Sequence, residues 1–120
     1  MPTLLSQLFV RTLREDPVDA EVVIPGSKSY TNRALLIAAL ADGTTTLTGA
    51  LFSEDTRHLA EALRSLGVDV FADQDASTFI IKGTGGSIPA SEATLSIGNS
   101  GTSARFLTAF ASLGHGHFVI

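Results

Sequence analysis

The sequence predicts an α/β (α+β) fold that holds one supersecondary unit and about half of a second. Helix and strand patterns alternate along its 120 residues, and glycines stand where helices should end. Self-comparison supplies the stronger observation. GSKSYTNR, from Gly26 to Arg33, lies over GNSGTSAR, from Gly98 to Arg105, at an offset of 72 residues. In each, a strand pattern ends in glycine, small polar residues turn the chain, and an arginine stands seven positions after that glycine. An apolar helix follows both times, with Leu35 over Leu107.

Taken in order, Gln7 to Leu13 and Glu21 to Ile24 read as short strands around the polar Arg14-Glu15-Asp16-Pro17 turn. A helix is predicted from about Ser29 to Ala41. Its middle is apolar all round, which suggests burial, and Gly43 should end it. β-Branched Thr44 to Leu47 predicts a strand. Ser53 then caps a second helix, with Glu54 and Asp55 in its first turn, where carboxylates meet the positive end of the helix dipole. Leu59, Ala62, Leu63 and Leu66 mark one face, and Gly67 follows its end. Val68 to Ala72 and Thr78 to Lys82 predict a hairpin, and Gly83 to Pro89 a loop. A strand at Thr94 to Ile97, a helix from about Gly101 to Leu113 and a strand at Phe118 to Ile120 complete the order. Stopping in a strand pattern, the chain reads as truncated within its second unit.

Composition bounds the function. Hydrophobic residues make up 44% and charged residues 17%, so the chain is globular rather than disordered. A net charge of −4 argues against a nucleic-acid partner, which needs a basic face. The absence of cysteine excludes disulfides, thiol nucleophiles and thiolate metal sites. The longest apolar run, Ala34 to Ala41, is less than half of a membrane span. Met1 to Leu13 has neither a basic leader nor a cleavage pattern, so the cytoplasm is the expected location and no membrane partner is expected.

The chemistry concentrates at the two turns. Lys28 and Arg33 lie where a helix begins, although cations suit the other end of a helix better. They call for an anion. The unpaired N–H groups of a helix start can hold phosphate or carboxylate oxygens, and Ser27, Ser29 and Thr31 add hydroxyl donors. Arg33 offers a planar fork, Lys28 a compact charge. Asn99, Ser100, Gly101 and Thr102 form a second turn, where Gly101 permits close approach and Arg105 sits about one helical turn inside. A Walker loop fails, because Ser27 rather than glycine precedes the lysine. A dinucleotide fingerprint starting at Gly83 fails at Ile88. A glycine–serine turn before a helix is most often a simple cap, and one exposed cation usually a solvated charge. Two such turns at a fixed offset, each with its internal arginine, favour anion binding. His115 and His117 fit a glycine-flanked turn better than a metal pair, and His58 a surface or boundary position. Asp42, Asp55 and Asp69 fit caps and loops.

PGSKSYTNRALLIAALADG and GNSGTSARFLTA resemble the two signature stretches of the 5-enolpyruvylshikimate-3-phosphate synthase family, and SEDTRHLAEALRSLGVDV between them is similar too. The resemblance runs from about Phe9 to Ile120. The sister enzymes that act on a nucleotide sugar open the first helix with a different turn. Only Phe106 departs mildly, standing where many members have proline.

The resemblance implies repeated βαβαββ units in two domains that close over the substrates. Residues 1–24 would belong to the other domain and hinge, 25–92 to a first unit, and 93–120 to the first half of a second. It also implies transfer of a carboxyvinyl group from phosphoenolpyruvate to the 5-hydroxyl of shikimate 3-phosphate, a step toward the aromatic amino acids. No metal or organic cofactor is expected. Lys28 would be catalytic and touch both substrates. Ser29 and Arg33 would bind shikimate 3-phosphate, Gly101 would bind phosphoenolpyruvate, and Asn99, Thr102 and Arg105 would shape that pocket. The remainder of the enzyme, or a second copy paired through the C-terminal strand, is the implied protein partner. Two other readings stay open: a stand-alone module that binds a phosphorylated metabolite, and an interaction protein that uses a free sheet edge.

Overall fold

The computed structural model describes residues 17–120. The strand expected at Gln7 to Leu13 lies outside them. From Pro17 to Ser27 the chain runs without secondary structure, and Val22, Val23 and Ile24 are exposed. The strand expected at Glu21 to Ile24 is therefore absent. β-Propensity alone makes no strand, and these residues have no neighbour with which to form a ladder among the described residues.

Helix α1 spans Lys28–Leu40, one residue earlier at each end than predicted. It buries Thr31, Asn32, Leu35, Ala38 and Ala39 but leaves Ile37 68% exposed, so it lies on the core by one face rather than being enclosed. It ends at an extended Ala41, not at a glycine. Gly43, with φ +91, sits inside strand β1 (Asp42–Leu47), and Asp42 opens that strand instead of lying in a loop.

Helix α2 (Glu54–Ser65) follows the sequence closely. Ser53 caps it, Leu59, Ala62, Leu63 and Leu66 are all buried, and Gly67 takes φ +92 after its end. Its cap is reciprocal. The Thr56 N–H donates to Ser53 Oγ at 3.3 Å, and the Ser53 N–H donates back to Thr56 Oγ1 at 2.9 Å. Strands β2 (Asp69–Asp73) and β3 (Thr78–Thr84) form the predicted hairpin, and β3 takes in the Gly83 assigned to a loop.

The antiparallel sheet has the order β1-β3-β2, with Leu47 opposite Phe79 and Val70 opposite Ile81. Phe79 and Ile81 point into the core while Ile80 and Lys82 face outward, the alternation of a sheet covered on one side. Helices α1 and α2 supply the cover, and Phe52 stacks on Phe79 with ring centres 4.3 Å apart.

Beyond the sheet come β4 (Glu92–Thr94), α3 (Gly101–Ala111) and β5 (His117–Val119). Strands β4 and β5 pair in parallel, as a strand–helix–strand crossover requires. Strand β4 begins two residues before the expected Thr94 to Ile97 segment and ends at Thr94, with Leu95 beyond it buried. Leu107 and Phe110 of α3 join the same core as Leu35 and Leu63. The β4–α3–β5 segment is thus packed onto the rest of the core, with α3 against both α1 and α2.

Candidate functional site

Lys28 is the first residue of α1. Ser27 caps the helix by accepting from the Tyr30 N–H at 3.4 Å. Ahead of the cap, Gly26 runs hard against the loop after β1. A Cβ at this position would collide with the backbone of Gly49, Ala50 and Leu51. The same loop is tied to the helix by Thr31, whose Oγ1 accepts from the Leu51 N–H at 3.0 Å. Thr31 is 5% exposed, so the hydroxyl expected to face a ligand holds the fold instead. Lys28, Ser29 and Arg33 remain exposed. A cavity of about 240 Å³ opens between this cap and the end of β1, lined by Ser27, Tyr30, Thr31, Ala34, Gly49 and Ala50.

The second turn is built differently. Gly98 takes φ +53, a left-handed conformation that a side chain would strain. Ser100 is the cap of α3, accepting from the Ser103 N–H at 3.1 Å and donating to Ser103 Oγ at 2.8 Å. Both serines are buried, so Ser100 is also withdrawn from any ligand. Asn99, Gly101, Thr102 and Arg105 stay exposed. A Cβ added at Gly101 would meet nothing within 4 Å.

Helix α2 joins the two turns. Asp55 in its first turn reaches Lys28, with Oδ2 2.9 Å from Nζ. One turn on, the ring of His58 lies against Gly98, where a Cβ would stand 2.8 Å from its Nε2. Glu54 Oε1 stands 3.6 Å from the same nitrogen. Arg33 completes the junction by donating from Nη1 to the Ser29 carbonyl at 3.0 Å, with Cζ 5.6 Å from the centre of the Phe106 ring on α3. The starts of three helices therefore meet at one end of the core. Their N–H groups and dipoles add to the charges of Lys28 and Arg33, offset in part by Asp55. Asn32, beside Arg33, is 1% exposed, and neither of its amide atoms has a hydrogen-bond partner among the described residues.

Sequence reasoning passed over Asp55, His58 and Phe106. Asp55 and His58 read there as a cap acid and a boundary residue, and Phe106 only as a departure from the family's proline. Their contacts all cross between elements, which no local pattern records. No group of three or more histidine, cysteine, aspartate or glutamate residues is placed to hold a metal ion among the described residues. No helix among them is long and apolar enough to cross a membrane.

Fold and junction together define an α/β protein with exposed cations gathered where glycine–serine turns open its helices. The family model described as EPSP synthase (3-phosphoshikimate 1-carboxyvinyltransferase) matches residues 13–120, and the chain belongs to that family. It is 51% identical over 102 residues to the 3-phosphoshikimate 1-carboxyvinyltransferase of Trichormus variabilis, a match covering 85% of this chain and 24% of the relative. It is 50% identical over 104 residues to the enzyme of that name from Rhizobium etli, covering 87% of this chain and 24% of the relative. A solved EPSP synthase from Acinetobacter baumannii superposes with a TM-score of 0.66 at 36% identity, over 76% of this chain and 21% of that one. The chain spans about a quarter of the length of the curated relatives it matches.

Proposed function

We propose that this chain forms one wall of a site that transfers the enolpyruvyl (carboxyvinyl) group of phosphoenolpyruvate to the 5-hydroxyl of shikimate 3-phosphate. The meeting of three helix starts with Lys28 and Arg33, in a chain of this family, carries the reading. Both substrates are multiply anionic, and such a junction suits them.

In the reaction, the 5-hydroxyl oxygen bonds to C2 of phosphoenolpyruvate and gives up its proton, while a proton is delivered to C3. Loss of a C3 proton and of inorganic phosphate from the tetrahedral intermediate restores the double bond. Lys28 holds both substrates and assists proton movement. Ser29 and Arg33 grip shikimate 3-phosphate. The exposed N–H of Gly101 meets phosphoenolpyruvate, with Asn99, Thr102 and Arg105 shaping that side. Negative charge builds on the departing phosphate as the intermediate breaks down, and donors fixed beforehand stabilise it without reorganising. The site works in the cytoplasm and needs no metal or organic cofactor. Opposing donors come from sequence beyond the matched quarter, so the 120-residue chain alone binds phosphorylated anions weakly, no tighter than about millimolar.

Phosphate release with both substrates tests this. Protein of the relatives' full length should turn over, and Lys28→Ala and Arg33→Ala should each weaken shikimate 3-phosphate binding by roughly 2 to 4 kcal/mol. The 120-residue chain should stay at background. Unchanged calorimetric affinity in both variants, or turnover by the short chain that Lys28→Ala abolishes, would overturn the reading.

A further inference from the structure

The two internal arginines, equivalent in the repeat, are not equivalent in space. Arg33 is held from two directions. The Ser29 carbonyl accepts from its Nη1 at 3.0 Å, and the Phe106 ring lies 5.6 Å from its Cζ. Arg105 has no hydrogen bond or ion pair among the described residues. The repeat explains the difference. Phe106 falls over Ala34 at the offset of 72, so only the second unit follows its arginine with an aromatic ring. That ring is spent on the first unit's arginine, across the α1–α3 contact.

We infer that Phe106 is a positioning residue for shikimate 3-phosphate, acting by presetting the guanidinium of Arg33. This rests on the reading above that Arg33 grips that substrate. A free arginine side chain loses much rotamer freedom when it closes on an oxyanion, and one already fixed loses less. The Ser29 contact alone leaves the fork free to swing about its own helix. A ring contributed by a different helix removes that motion, and its face attracts the cation without competing for the N–H donors that an oxyanion needs. Phe106 is half-buried, and its ring stands on a helix other than the one that carries Arg33.

The test uses the full-length protein that carries this stretch, with calorimetric titration of shikimate 3-phosphate and, separately, of phosphoenolpyruvate. Phe106→Leu, which keeps bulk but removes the ring, should weaken shikimate 3-phosphate about two- to fivefold, the equivalent of one exposed cation–π contact. It should leave phosphoenolpyruvate unchanged. Phe106→Tyr should bind as the parent does. Phe106→Leu added to Arg33→Ala should cost nothing further. Wild-type affinity in Phe106→Leu, or an undiminished Phe106→Leu effect in the Arg33→Ala background, would overturn the role of Phe106 while leaving the substrate reading intact. Wild-type affinity in Arg33→Ala would overturn both.

Discussion

Lys28 and Asp55 form an ion pair across two helix starts, with Nζ and Oδ2 2.9 Å apart and side chains 53% and 27% exposed. The pair places a negative charge on the cation best situated to meet an anion. Half-open to water, it contributes about 1 kcal/mol or less to stability. On the proposed reading of Lys28, its larger effect is competition with an anionic ligand.

Asp55→Asn should therefore bind inorganic phosphate about threefold tighter at low salt, the value of one charge removed at roughly 6 Å in water. Added salt should shrink the gain. The thermal midpoint should move by only a few degrees. A loss of phosphate binding, followed by calorimetry or chemical-shift titration, would show instead that Asp55 orients Lys28.

Gly26 and Gly101 should respond in opposite ways to alanine. At Gly26 a methyl group drives into the backbone of Gly49, Ala50 and Leu51, which cannot rotate away, so a loss of about 1–3 kcal/mol is expected. At Gly101 there is open space and no left-handed backbone, so the melting curve should hardly change. Phosphoenolpyruvate binding by full-length Gly101→Ala should still fall, because the methyl group covers the approach to an exposed helix start. A destabilised Gly101→Ala with normal binding would reverse both expectations.

Thr56→Val should be costly although it keeps the side chain's shape. Thr56 is fully buried, and its Oγ1 accepts from the Ser53 N–H and donates to the Leu51 carbonyl, each at 2.9 Å. Valine strands both groups, at about 1–3 kcal/mol. Thr56→Ser, which keeps the hydroxyl, should recover most of the loss in urea unfolding. Equal midpoints for the valine variant and the parent would contradict the bonding described.

The helices and the hairpin were legible because their signals are local. Ser53 with Thr56, the Leu59–Leu63–Leu66 face and Gly67 each specify geometry within a few residues of themselves. Glu21 to Ile24 was misread because a strand needs a partner, which propensity does not reveal. Gly43 was misread because positive φ serves a strand start as readily as a helix end. The repeat was legible as a pattern, yet its aligned glycines do different work. Gly26 admits a neighbouring backbone, while Gly98 makes a left-handed turn beneath His58. The caps differ accordingly. Ser27 lies one residue after its glycine and Ser100 two after, so α3 starts one residue late relative to α1. Of the candidate site, the local pattern singles out Lys28, Arg33 and Gly101, and the fold leaves all three exposed. Asp55, His58 and Phe106 could not, since their meaning lies in what other elements bring to them.

Helix α2 has one further consequence. It presents Asp55 to the first turn and His58 to the second, and these residues are three apart on a rod with a fixed pitch. One residue inserted between them would rotate everything after it by about 100° and swing His58 away from Gly98. The stretch between the two signature turns thus acts as a gauge that sets their mutual phase. Neither turn can be shifted along the chain without resetting that gauge.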